Sequence, residues 1–224
     1  MGTRHQPALG AVVLGAACAA LFWVGIAASS AGDPKKRLTA AGNAVARSYL
    51  LRKADLPAGR WRARPASFSQ PNPGCAVRHY NLGALTLEGE AGDIYELDAG
   101  LPVVESDAHV FVIAPQARQA FSKESTIGFA RCLGASLASG VSGSAGSGAV
   151  VRVEPLPLGR LAADARGFRI DVRPPSSVPL SAALVVMRHG RAIGVLSVIA
   201  AGSPWSKPVL RTLTATMARR MASG

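Results

Sequence analysis

Aromatic residues are scarce, 5% of 224 residues, and acids are outnumbered by Lys and Arg, 13 against 25. The lack of aromatics removes the stacking platforms by which single strands are read. A net charge of +12 is therefore not read as nucleic-acid binding, and no recognition motif accompanies it. The three cysteines include no Cys-x-x-Cys, which excludes a thioredoxin-like redox role. No phosphate-cradling glycine loop, zinc-spaced Cys/His set or calcium loop is present. The acids Glu88, Glu90, Asp93, Glu96 and Asp98 fit no known cation loop and read as solvated turns. His79, His109 and His189 have no neighbour in sequence that suggests a nucleophile. The Ser/Gly run from Ser139 to Gly148 reads as a flexible loop and contains no Gly-x-Ser-x-Gly. No catalytic, cofactor or metal residue is expected. A hydrolase, whose triad partners can be far apart in sequence, is the least favoured class.

The long apolar run is at the start. Ala8 to Ala28 is uncharged and mostly apolar, preceded by Arg4 and followed by Ser29-Ser30-Ala31. Its 21 residues suffice for a membrane anchor, while the small residues after it would serve as a signal cleavage site. Length favours the anchor, and both readings carry the bulk of the chain out of the cytoplasm. Residues 1–31 are thus a signal peptide or transmembrane anchor, and residues 32–224 one extracytoplasmic domain. Cys18 falls inside the apolar run as a small apolar residue. Cys75 and Cys132 remain, an even pair in an exported domain, and imply one disulfide.

Charge is blocked along the chain. Nine basic residues against the single acid Asp55 occupy Lys35 to Arg64, and seven acids with no base occupy Glu88 to Asp107. The two blocks either complement each other on the folded surface or face solvent. A sharper reading sets the basic stripe against anionic lipid headgroups or an acidic wall polymer.

A helix is predicted from Asp33-Pro34, with Leu38, Ala41, Val45 and Tyr49 at helical spacing, ending near Leu56-Pro57-Ala58-Gly59. A short strand at Trp61 follows. Leu85 to Glu88 and Ile94 to Leu97 read as two short strands, and Val103 to Ile113 as a stronger one. Pro115 starts a second helix whose apolar contacts run from Ala117 to Leu133. Val150 to Glu154 and Phe168 to Arg173 are strands, the latter with Phe168, Ile170 and Val172 inward. Pro204 opens a C-terminal helix with Val209, Leu210, Leu213, Met217 and Met221 on its core side.

The centre is a hairpin, Leu184 to Ile199, apolar on both faces and expected mid-sheet with layers on each side. A hinge at His189-Gly190 sets Arg188 opposite Arg191, Val186 opposite Ile193 and Leu184 opposite Val195. Like charges directly opposite are unfavourable. Arg188 and Arg191 therefore either splay into solvent or hold an anion or acidic partner at the tip.

Three segments carry a resemblance: Ala54 to Trp61, Ala108 to Phe121 leading to Cys132-Leu133, and Leu184 to Pro204 followed by a helix. Together they resemble actinobacterial secreted or membrane-anchored sensor-like domains. These include the extracellular sensor domain of mycobacterial serine/threonine kinases of the PknH type and related envelope lipoproteins. The resemblance spans about residues 38 to 222 and rests on structural patterns. It implies an α+β fold, a single antiparallel β-sheet flanked by about three helices, with a cleft for a ligand. Those kinase sensor domains carry two disulfides, whereas this chain can form one, and no kinase domain precedes its apolar segment. The expected function is non-enzymatic binding of a small ligand or an envelope protein. The alternative is an accessory envelope protein that contacts another exported protein.

Overall fold

A computed structural model describes residues 34–66, 82–98, 100–142, 149–161, 163–175, 178–202 and 205–224. The apolar segment 8–28, His79 and Cys75 lie outside the described residues. Among those described, no helix is long and apolar enough to cross a membrane.

One mixed sheet of eight strands runs through the centre. In chain order the elements are β1 (Lys35–Lys36), α1 (Ala40–Tyr49), β2 (Trp61–Pro65), β3 (Thr86–Leu97) and β4 (Val103–Phe111). There follow α2 (Ala114–Glu124), α3 (Ile127–Ser142), β5 (Val150–Pro155), β6 (Asp164–Arg173), β7 (Leu180–His189), β8 (Ala192–Ala201) and α4 (Lys207–Ser223). The spatial order is β1-β3-β4-β8-β7-β6-β5, with β2 also on β3. All pairs are antiparallel except β1 with β3, so the sheet is not purely antiparallel.

The central β7–β8 hairpin is buried on both faces, as its composition requires. Val185, Met187, Leu196 and Val198 join α1 and α4 in one apolar cluster. Leu184, Val186, Ile193 and Val195 join α2 and α3 in the other. The fold is thus three layers with helices on either side of the sheet.

Several sequence expectations are corrected. The first helix starts at Ala40, not Pro34, because Thr39 caps it by accepting from Gly42 N, 2.9 Å away. Lys35 and Lys36 instead add a short parallel strand to β3. That helix ends at Tyr49, and only a three-residue 3₁₀ turn at Lys53–Asp55 continues toward Leu56. The two short strands are one, β3, bent by a bulge between Leu87 and Gly89. Gly89 lies under α1, and a Cβ there would come 2.1 Å from the Gly42 carbonyl carbon. Gly89, which falls between the two expected strands, therefore marks a close approach of helix and strand. The helix from Pro115 is two helices, broken at Ser125-Thr126, where the Thr126 hydroxyl accepts from Phe129 N at 3.1 Å. The following helix extends to Ser142, into the expected loop.

The hairpin register also differs. Its central residues are Gly190 and Arg191, so His189 pairs with Ala192, Val186 with Val195 and Leu184 with Ser197. Gly190 has φ +54°, while no non-glycine residue among those described has positive φ. A turn with one positive φ in its first central position selects glycine there, as in type II′. The slip amounts to two residues, so each side chain keeps its predicted face.

Candidate functional site

The register places Arg188 opposite Ile193, not opposite Arg191. Each guanidinium finds a carboxylate on another strand: Arg188 pairs with Asp164 on β6, and Arg191 with Glu88 on β3. Arg191 also reaches the Phe111 carbonyl at 3.5 Å. The two side chains named as an anion or partner contact thus tie the hairpin to its neighbours. Cys132 lies on α3, but its expected partner Cys75 is outside the described residues.

The charge blocks meet across the sheet edge. Basic β1 and β2 both lie along acidic β3, giving Lys36–Glu90 at 2.9 Å, Arg64–Glu96 at 2.9 Å and Arg60–Asp98 at 3.4 Å. Among the described residues no group of three or more His, Cys, Asp or Glu is arranged to hold a metal ion.

Next to these pairs, β4 turns one polar row toward the α2/α3 side. Val104, Ala108 and Val110 enter the α1/α4 core, which leaves Glu105, Asp107 and His109 on the opposite face with Phe111. Glu105 and Asp107 are buried, and Glu105 Oε1 and Asp107 Oδ1 have no hydrogen-bond partner among the described residues. Burial raises Glu105 to about 7, against the pull of Arg64. Asp107 is raised well above the usual carboxylate range by burial, then by Glu105 and Asp93. Burial lowers His109 to about 4, with Glu90 and Lys36 acting in opposite senses. On α2, burial alone lifts Glu124 to about 7. The signal for the β4 row is visible in the sequence, where Glu105, Asp107 and His109 alternate with Val104, Ala108 and Val110.

A cleft of about 760 Å³ opens where the α2–α3 turn meets the ends of β5 and β6. One wall is helical: Arg118, Phe121, Ser122, Ser125 and Ile127. The other is the chain from Pro155 to Gly159, and the start of β6 from Ala165 to Phe168 forms the rest. Leu156 N donates to Gly167 O at 2.8 Å, fixing that chain to the sheet. The lining contains two cations, Arg118 and Arg166, and no acid. Both are exposed, and neither makes an ion pair with a described residue. An apolar body, two serine hydroxyls and two open guanidiniums suit a ligand with an acidic head and an apolar part. Sequence reasoning missed this site because its residues come from α2, the chain after β5 and the start of β6, and only the fold brings them together.

No protein-family model matches the chain, and no curated protein matches it.

Proposed function

We propose that this chain is a non-enzymatic, extracytoplasmic binding domain of the cell envelope, held at the membrane by residues 8–28 or released after cleavage behind them. In this reading it is sensor-like, and its ligand is an anionic amphiphile. The observation that carries the reading is the cleft beside the α2–α3 turn, lined by Arg118 and Arg166, neither in an ion pair with a described residue, together with Phe121, Leu156, Leu158 and Phe168. Its size lies within the range of small-molecule sites. A carboxylate or phosphate would take one or both guanidiniums, and the apolar lining would shield a chain or ring.

The test is thermal unfolding of the full chain in neutral detergent with a short-chain phosphatidylglycerol, a fatty acid and a sugar phosphate. A ligand at about 100 times its Kd adds about 2.7 kcal/mol to the folded state. The amphiphiles are expected to raise Tm, and Arg118→Ala with Arg166→Ala to abolish the rise. Equal stabilisation of the double variant, or no rise with any anionic amphiphile, would overturn the proposal. In that case the accessory, partner-contacting role becomes the better account.

A further inference from the structure

The helices α1 and α4 carry charge of only one sign. Between Ala40 and Asp55, and between Lys207 and Ser223, Asp55 is the single acid. It is taken by Arg220, whose guanidinium lies 2.7 Å from Asp55 Oδ2 and also donates to the Leu50 carbonyl. That bond joins the end of α4 to the turn after α1, and it consumes the layer's negative charge. Arg47, Arg52, Lys53, Lys207, Arg211 and Arg219 remain, all exposed and none in an ion pair with a described residue. Along β3 the balance is different, because there Lys36, Arg60 and Arg64 are met by Glu90, Asp98 and Glu96, and Lys35 and Arg62 make no ion pair with a described residue.

The neutral residues between these cations are small or weakly polar. Ala40, Ala41, Ala44 and Ser48 are exposed on α1, and Thr212 on α4. With no large apolar residue exposed on either helix, such a face adheres by charge and does not insert. The described chain begins at Pro34, and residues 29–33 separate it from the apolar run ending at Ala28. Extended, that link spans at most about 20 Å. A domain tethered so closely meets a bilayer surface at very high local concentration.

From this we infer that the α1/α4 layer docks flat on an anionic bilayer surface, its guanidinium and ammonium groups among acidic lipid headgroups. Arg211 adds a link to the cleft, since its Nη2 lies 3.6 Å from where a Gly159 Cβ would stand, and Gly159 lines the cleft wall. The docked face therefore borders the cleft, whose occupant would be drawn from the same leaflet.

The inference rests on the anchor reading of residues 8–28, and the experiment separates the two. The full chain is reconstituted into phosphatidylcholine vesicles with and without about 30 mol% phosphatidylglycerol. Lysine acetylation is then followed by mass spectrometry. Lys53 and Lys207 lie in the basic layer, and Lys123 on α2 in the opposite layer is the internal control. Acetylation of Lys53 and Lys207 is expected to slow about threefold or more on the anionic vesicles, with Lys123 unchanged, and to recover at about 0.5 M salt. The triple variant Arg47→Glu, Arg52→Glu, Arg219→Glu, checked for unchanged unfolding temperature, should lose the protection. Equal labelling on both vesicles, equal slowing of Lys123, or full protection of the triple variant would overturn the inference. An alkaline wash that strips the chain from both vesicles defeats the anchor reading alone. Salt-reversible sedimentation with anionic vesicles only would then still support docking, and its absence would end it.

Discussion

Glu105 and Asp107 stand two positions apart on one face of β4, both buried, and each leaves a carboxyl oxygen without a hydrogen bond to any described residue. Two carboxyls so placed cannot both ionise cheaply, since each adds to the desolvation the other already bears. With folded pKa values above the unfolded ones, the folded state holds the extra protons. The stability these groups allow is complete below the ordinary carboxylate range and is lost as pH rises toward and past about 7, the value for Glu105 and Glu124. His109 runs the other way: its neutral ring favours folding above its ordinary pKa of 6.5, and that advantage is lost as pH falls toward about 4. Three carboxyls outweigh one imidazole, so Tm is expected to fall between about pH 5 and pH 8. Glu105→Gln with Asp107→Asn should flatten that slope and add about 1–3 kcal/mol at the alkaline end. A Tm that climbs with pH over this range would contradict the assignment.

The contact of Gly42 with Gly89 sets how closely α1 lies on β3. Gly89→Ala places a methyl group into helix backbone, which cannot yield as a side-chain end would. A loss of about 2 kcal/mol or more is expected in denaturant unfolding. A neutral result would show that the helix sits farther from the strand.

Arg220 bridges α4 to Asp55 and the Leu50 carbonyl from a mostly buried position. Truncation by Arg220→Ala leaves Asp55 half-shielded and without that partner, at an expected cost of about 1–3 kcal/mol. Asp55→Asn should cost less, because the Leu50 contact survives. Equal losses in the two variants would mean that the carbonyl contact contributes nothing.

If Cys75 and Cys132 are joined, thiol titration of the denatured, unreduced chain should find one free sulfhydryl, that of Cys18, when the leader is retained. Reduction should then lower stability by about 4 kcal/mol in the chain-entropy model. Three titratable thiols would refute the pairing.

The hairpin shows how far sequence reasoning reaches. The apolar character of Leu184 to Ile199 was enough to place it mid-sheet, because only a two-sided core tolerates such a run. The register was not legible: His189-Gly190 and Gly190-Arg191 both supply one glycine, and only the backbone shows which end of the turn it occupies. Thr39 and Pro34 compete as helix starters, and the capping hydrogen bond decides for Thr39. Gly89 and Gly92 carry no sign that a helix lies over the first of them. The cleft is less legible still, since Arg118 and Arg166 share no periodicity and meet only because β6 begins beside α2.

At the far border of the sheet, β5 has β6 on one side, and no other described strand pairs with it. Six residues long, it carries the Arg152–Glu154 ion pair and ends in Pro155, which has no amide hydrogen to donate. Such a margin is a poor template for another chain, so the open border does not invite fibrillar growth despite the exposed Val150. Replacing both charges and the proline with valine would create an aggregation-prone rim on an otherwise unaltered fold.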